Sequence, residues 1–368
     1  MARKLKSDKL LFMATLLLVL ASVVMVYSAS AAMAELRWGN PYLFLTKQAM
    51  WAALGIALMS LVMRIDYRVW RQPVFIWAGV AVAFVALVAV LFSTPINGTR
   101  RWFAVGGFGI QPSELAKLAV VFFTAALLER RMHQVNDLKE TLLPLGGIVG
   151  VLTVLIVLEP DFGTSVCLVV TAGLMLFAAG LSWRYVAITA GAGVAAGAAL
   201  IVISPYRIKR VLSFLSPEDD PRGAGFQLLQ SLIAVGNGGI QGQGLMGGVQ
   251  KLFYLPEPHT DFIYAVIAEE LGLIGATLTL AAFVVITWRG LRVAGRAPDQ
   301  FGAFLAIGLT GMLAVQALVN MSVVLGLMPT KGIPLPFVSA GGSSLLINLV
   351  SMGVLLNVSQ HASGVHER

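Results

Sequence analysis

The sequence predicts an all-α integral membrane protein of about ten transmembrane helices, and three observations carry that prediction. Of its 368 residues, 58% are hydrophobic and only 12% charged, about half the charged share of a soluble domain. The mean hydropathy is +0.84. The apolar residues also gather in ten runs, most of which reach the roughly 17–25 residues a helix needs to cross a bilayer.

The first run, about Leu10–Ala32, follows the basic start Arg3, Lys4, Lys6, Lys9. It resembles a signal peptide at Ala29-Ser30-Ala31, but its apolar part exceeds the usual core of roughly 7–15 residues, so it reads as a retained helix. Runs two and three, Thr46–Met63 and Val74–Phe92, enclose the basic residues Arg64, Arg68 and Arg71. Ser113–Glu129 begins at Gln111-Pro112 and carries Glu114 and Lys117 in its first turns. Leu142–Leu158 ends at Glu159-Pro160-Asp161-Phe162-Gly163, and Thr164–Leu181 and Tyr185–Ile203 follow. After a long polar segment at about 204–260 come Phe262–Thr287, Phe301–Val324 and Gly342–Val358.

Ten spans put both termini on one side. Arg3, Lys4, Lys6, Lys9, Arg64, Arg68, Arg71, Arg130, Arg131, Lys139, Arg184, Arg289, Arg292, Arg296 and Arg368 fall on that side, against Arg37, Lys47, Arg100, Arg101 and Lys331 in short segments opposite. The excess of Lys and Arg in cytoplasmic loops therefore predicts cytoplasmic termini. The large loop at 204–260, between spans seven and eight, is then extracytoplasmic. Its length lets it carry Arg207, Lys209, Arg210, Arg222 and Lys251 across. The chain reads as a single membrane domain over residues 1–368, without a strong internal repeat.

Several function classes are disfavoured. The net charge of +8 is dispersed over loops and forms no basic stripe with interleaved aromatics, so anionic lipid headgroups, not nucleic acid, are the expected partner. Cys167 is alone, which excludes a disulfide framework and a Cys/His metal site. No Walker-type phosphate loop is present, and Gly242–Gly247 matches G-x-G-x-x-G without the strand and helix that a dinucleotide site requires. The seven glycines between Gly236 and Gly248 suit a tight loop packed on helix ends or an anion nest. Phe226–Val235 is apolar but too short to span, as an interfacial segment or a half-helix would be.

The ionisable residues in and near spans are the candidate site. Glu114 and Lys117 share a helix face and read either as a neutralising pair or as functional groups. Glu269 and Glu270 lie about two turns into the eighth span, where a carboxylate requires a partner, a cation or a role in a site. Asp261 stands in Leu255-Pro256-Glu257-Pro258-His259-Thr260-Asp261-Phe262, at the mouth of that span, where it is placed to cap the helix or to do chemistry at the membrane surface. Lys331, Arg100 and Arg101 suit headgroup contact.

Asn97–Trp102, Gln111–Glu114, Glu159–Gly163, Leu255–Phe262 continued through Glu269-Glu270-Leu271-Gly272, and Pro329–Ser344 together resemble the SEDS family of FtsW, RodA and SpoVE proteins over nearly the whole chain. Pro329-Thr330-Lys331-Gly332 is more similar to the FtsW/SpoVE branch. The resemblance implies an inverting peptidoglycan glycosyltransferase that polymerises lipid II on the outer face of the cytoplasmic membrane during cell division. It implies Asp261 as catalytic base, and Lys331 and Arg101 as the leading contacts to the substrate diphosphate. Arg100, Lys117, Glu114 and His259 are further substrate-binding candidates. Mg²⁺ or another divalent cation is an accompanying expectation. Implied partners are lipid II, an undecaprenyl-diphosphate-linked glycan, a class B penicillin-binding protein and other division proteins. A lipid II flippase and a RodA-like elongation polymerase are the alternatives. The family often has Gln where this chain has Glu159, which leaves a metal or structural role open beside Asp161.

Overall fold

The ten apolar runs are all α-helical in the computed structural model, which describes residues 7–96, 98–105, 108–219, 223, 225–252 and 254–362. Arg3, Lys4, Lys6, Asn97, Arg222 and Arg368 of the sequence analysis lie outside the described residues. In chain order the helices are α1 (Lys9–Trp38), α2 (Leu43–Val62), α3 (Pro73–Val90), α4 (Pro112–Arg130), α5 (Leu143–Leu158), α6 (Phe162–Ala178) and α7 (Trp183–Val202). They continue as α8 (Pro205–Leu215), α9 (Phe226–Gly238), α10 (Ile263–Ala294), α11 (Gln300–Val324) and α12 (Gly342–Ala362). Between α3 and α4 the chain forms a small antiparallel hairpin, β1 (Phe103–Val105) and β2 (Phe108–Ile110), with Phe103 opposite Ile110.

Eight helices are long and apolar enough to cross a membrane: α1, α2, α3, α5 with the π-turn before it, α7, α10, α11 and α12. The other two expected spans fall short for stated reasons. Helix α4 carries Glu114, Lys117, Glu129 and Arg130, and α6 has only 17 residues. Both are packed inside the bundle, α4 against α3, α6 and α11, and α6 against α5 and α11. Carboxylates of α4 are thereby met by protein, Glu114 by Lys117 and Glu129 by Arg71, which lets a charged helix sit among spans. Helices α11 and α12 are the most buried of the span candidates, whereas α7 has no buried residue and stands at the periphery, joined to α8.

The segment 204–260, expected as a loop, contains two helices. The 13-residue α9 is too short to span and packs against α10 and α11, with Leu228, Ser231, Ala234 and Gly238 buried and Ser231 Oγ donating to the Val324 carbonyl at 2.8 Å. The stretch is thus a short helix packed on the bundle. The glycine cluster that follows returns the chain across a break in α10.

That break is at Gly272, with φ 66° and ψ −164°. A helix interrupted within a membrane protein needs other partners for the freed backbone groups. The glycine loop provides them. Leu273 and Ile274 donate to the carbonyls of Gly239 (2.9 Å) and Ile240 (3.3 Å), while Gln243 and Gly244 donate to those of Glu269 (3.0 Å) and Glu270 (2.9 Å). The approach is so close that a Cβ on Gly238 would strike the Ala268 carbonyl, and one on Gly242 the Glu270 carbonyl. The loop also answers both carboxylates. Glu269 accepts from the amides of Val249 (3.0 Å) and Gln250 (3.2 Å). Glu270 accepts from Ser28 Oγ at 2.7 Å, from Lys251 Nζ at 2.5 Å and from the Met246 amide at 3.2 Å.

Lys251 and Glu270 are both buried, so removing one partner strands the other charge. Lys251→Met is expected to destabilise the protein by about 3–5 kcal/mol, and Lys251→Met combined with Glu270→Gln to recover most of the loss. Unfolding midpoints of the variants in one detergent test this; equal midpoints for wild type and Lys251→Met would mean that the pair does not hold the break.

Candidate active site

A cavity of about 650 Å³ lies at the end of the bundle where α4, α6, α10 and α12 begin and α7 ends. Its wall draws on all five strings that carry the family resemblance. Thr99, Arg101, Trp102 and Gln111 come from the α3–α4 connection, Pro160–Gly163 from the start of α6, and Pro256, Glu257 and Thr260–Phe262 from the approach to α10. Pro329–Gly332, Ala340 and Gly341, from between α11 and α12, and Ser344 of α12 also line it.

Asp261 is on this wall. The cap position of α10 is Phe262, and no side chain caps the helix, so the capping role open to Asp261 is not taken up. Its backbone is held instead by α11 and the segment before α12. Asn320 Nδ2 donates to the carbonyls of both Asp261 (2.8 Å) and Ile333 (2.7 Å), Ser339 Oγ donates to Thr260 (2.6 Å), and the Ala340 amide to His259 (2.9 Å). Gly332 lies against the carboxylate, where a Cβ would come within 2.9 Å of Oδ2. Burial, with Glu257 and Asp161 nearby, pushes the Asp261 carboxyl up to about 7, against the opposing pull of Arg101 and Arg210.

Of the cations proposed from the sequence, Arg101 and Lys331 share the cavity with Asp261. Arg101 is oriented by bonds from Nε to the Glu159 carbonyl (2.8 Å) and from Nη2 to that of Pro160 (2.6 Å). Lys331 Nζ lies 4.6 Å from the centre of the Phe162 ring, and burial lowers its pKa. Arg100 is exposed, bonds the Leu91 carbonyl at 3.0 Å and is not on the wall.

Glu114, Lys117 and His259 are likewise off the wall. Glu114 and Lys117 form a fully buried pair at 3.0 Å. Lys117 Nζ also donates to Gln316 Oε1 at 2.6 Å, and Gln316 Nε2 donates to the Pro334 carbonyl at 2.9 Å. The pair thus sits behind the Lys331 loop and positions it, without reaching the cavity itself. The His259 ring packs 4.5 Å from that of Phe44, and burial pushes its pKa down to about 4, so it is neutral.

The two carboxyl groups at the start of α6 differ. Asp161 caps the helix, accepting from the Thr164 amide (3.0 Å) and hydroxyl (2.8 Å) and from Gln111 Nε2 (3.0 Å). Glu159 is fully buried, and neither of its carboxyl oxygens has a hydrogen-bond partner among the described residues. Burial, then Asp161, push it up to about 8, with Arg101 opposing. A protonated Glu159 differs little from a Gln in shape or charge. Among the described residues no three His, Cys, Asp or Glu side chains converge, and Asp161 is engaged by its cap.

Arg207 and Arg210 of α8 were not singled out as site residues from the sequence, yet both line the cavity. The signal was present as helical periodicity, with Ile208, Val211, Leu212 and Leu215 spaced against the basic residues. The glycines and charges of the surrounding 204–260 segment mask it.

Comparison with known proteins agrees with this architecture. A model of the family described as cell cycle protein, covering FtsW, RodA and SpoVE, matches residues 8–364. Stage V sporulation protein E of Bacillus subtilis is 42% identical over 365 residues, 98% of this chain and 99% of its own. The probable peptidoglycan glycosyltransferase FtsW of Geobacter sulfurreducens is 41% identical over 361 residues, 97% of this chain and 96% of its own. Among solved structures, a chain of a peptidoglycan synthase complex, studied for its coordination of polymerization and crosslinking, matches with TM-score 0.80 and 30% identity over 97% of this chain and 99% of that one. The rod shape determining protein RodA of Thermus thermophilus matches with TM-score 0.71 and 25% identity over 97% of each chain. With a family match that spans all twelve described helices and every segment of the cavity wall, the chain belongs to the FtsW/RodA/SpoVE family of cell cycle proteins.

Proposed function

We propose that this protein is a peptidoglycan glycosyltransferase that polymerises lipid II at the extracytoplasmic face of the cytoplasmic membrane during cell division, with Asp261 as general base. The observation that carries this reading is one wall holding a carboxyl group poised near neutrality together with Arg101 and Lys331. The names of the FtsW relatives support the activity. The basic residues of the loops favour cytoplasmic termini, which turns the cavity outward.

In this mechanism the Asp261 carboxylate accepts the proton of the 4-hydroxyl on the acceptor sugar of lipid II. That oxygen forms a bond to the anomeric carbon of the donor glycan as the bond from that carbon to the lipid diphosphate breaks, inverting α to β. The diphosphate is already a good leaving group, so no second carboxyl acid is required. Negative charge develops on it as it departs, and Arg101 and Lys331 are placed to stabilise that charge. Neutral Glu159 leaves the charge of Arg101 for the substrate. By family resemblance, the protein works with a class B penicillin-binding protein and other division proteins.

Asp261→Asn and Asp261→Ala should reduce lipid II polymerisation by about 10²–10⁴-fold while the protein remains folded. The assay uses purified protein with its cognate transpeptidase, and glycan product is resolved on gels. Polymer from the variants at wild-type rates would remove Asp261 as base, and absence of polymer from folded wild type would favour the flippase reading. Because the base must be ionised, turnover should rise with pH along an acidic limb with an apparent pKa near 7. A rate that stays flat from about one unit below that value to about one unit above it would contradict it.

Glu159 yields a stability prediction. Its folded pKa of about 8 lies above the ordinary 4.5, so the folded protein retains a proton that the unfolded chain releases. Stability contributed by this group is present below pH 4.5 and is lost as pH rises through about 8. Glu159→Gln should remove that loss, and unfolding midpoints of the two proteins should diverge across this window in favour of the variant. Parallel curves would show that Glu159 does not titrate in this way.

A further inference from the structure

We propose that Asn320 is a positioning residue for the reaction, whose side-chain amide fixes the spacing between Asp261 and the segment that carries Lys331. The inference rests on the polymerase reading and deepens it. Asp261 precedes α10 and Lys331 follows α11, so the chain joins base and cation only through two long helices. Their spacing has to be set by a bond that crosses between the two segments.

Asn320, buried near the end of α11, makes that crossing. Its Nδ2 carries two donors and uses them on the carbonyls of Asp261 (2.8 Å) and Ile333 (2.7 Å). The carboxylate of Asp261 meets the same turn from the other side: a Cβ on Gly332, the neighbour of Ile333, would come within 2.9 Å of Oδ2. The Ile333 amide donates back to the Lys331 carbonyl at 3.1 Å, which ties Lys331 to the residue that Asn320 holds. The Ile333 side chain also fills the space beside Gly163, where a Cβ would come within 2.6 Å of its Cγ1, and this seats the turn against the start of α6. One helical turn earlier, Gln316 holds the next carbonyl, that of Pro334, at 2.9 Å. Two amide side chains four apart on α11 thus hold consecutive carbonyls, and of the two it is Asn320 that also holds Asp261.

The arrangement has a cost. Asn320 Oδ1 is buried without a hydrogen-bond partner among the described residues, and an unpartnered buried acceptor is destabilising. A leucine of similar size would avoid that cost but could hold neither carbonyl. The donors of the amide, and not its bulk, therefore account for asparagine at this position.

The test compares wild type, Asn320→Leu, Asn320→Ser and Asn357→Leu as full-length protein with the cognate transpeptidase. Asn357 is the control. It is buried on α12 at the opposite end of the bundle, where it donates to the Met63 carbonyl and accepts from the Tyr67 amide, each at 2.9 Å. In lipid II polymerisation, Asn320→Leu should lower kcat by about 10²-fold with KM little changed, since a misplacement on the order of 1 Å costs about that factor. The acidic limb of its pH profile should move below the wild-type value of about 7, because burial is the largest influence on Asp261 and a loosened segment admits water. Glu257, Asp161, Arg101 and Arg210, the charged groups that act on Asp261, are the same in both proteins. Asn320→Ser keeps one O–H donor and should fall between wild type and Asn320→Leu; it carries the test should the leucine variant not fold. Amide hydrogen exchange, measured without substrate, should quicken at both 255–262 and 329–341 in the Asn320 variants, and at neither in Asn357→Leu. Wild-type kcat and pH limb in the folded Asn320 variants, or an equal loss in Asn357→Leu, would overturn the proposal. Unchanged exchange at both segments would overturn it whether or not the protein turns over. Wild type that makes no polymer, with exchange quickened as expected in the variants, would refute the polymerase reading and leave the clamp in place.

Discussion

The structure depends on how the backbone of α10 is paired where the helix breaks at Gly272. Hydrogen-bonding groups released inside a membrane protein have no water to turn to, and an unpaired group costs several kcal/mol. Here the loop after α9 lies across the break and takes up four of them, while its amides and Lys251 meet Glu269 and Glu270. The glycines are required by proximity, since side chains at Gly238 and Gly242 would collide with the carbonyls of α10. The short helix α9, the loop and the first turns of α10 thus form one unit, and Asp261 stands at its open end.

A second set of bonds fixes that end against the rest of the bundle. Asn320 spans the carbonyls of Asp261 and Ile333, and Ser339 and Ala340 bind the two residues before Asp261. Behind them, Glu114, Lys117 and Gln316 connect α4 and α11 to the Lys331 loop. Asp261, Arg101 and Lys331 therefore sit on segments that hold one another, as a preorganised electrostatic site requires. The same packing partly buries Asp261 and pushes its carboxyl up to about 7.

Periodicity and composition made the helices legible. All ten apolar runs are helical, because a run of this length in a membrane has no other way to satisfy its backbone. Helices α8 and α9 were less visible, being shorter than a span and set within a segment whose glycines and charges read as loop. The hairpin of β1 and β2 was not visible either, since its strands are three residues each. Among site residues, the motif strings located Asp261, Arg101 and Lys331, which share a wall. Arg100 has the same charge and neighbours as Arg101 in sequence, but adjacent side chains in an extended segment point to different sides, and it faces solvent.

What the sequence determined by itself is the class of protein, the helices and the residues worth weighing, because these follow from local composition and from chemistry that a residue carries anywhere. Whether a given charge acts on substrate or supports the scaffold was decided only by tertiary structure. Glu114 and Lys117 became a buried pair, Glu269 and Glu270 the anchors of a loop, Asp161 a helix cap and Glu159 a buried acid near Arg101. Arg207 and Arg210 came to the cavity from a helix distant in sequence. The physical reason is that an ionisable group takes its role from its partners and its access to water, and in this bundle both are set by segments more than a hundred residues apart, as in the bond from Arg210 to Thr330.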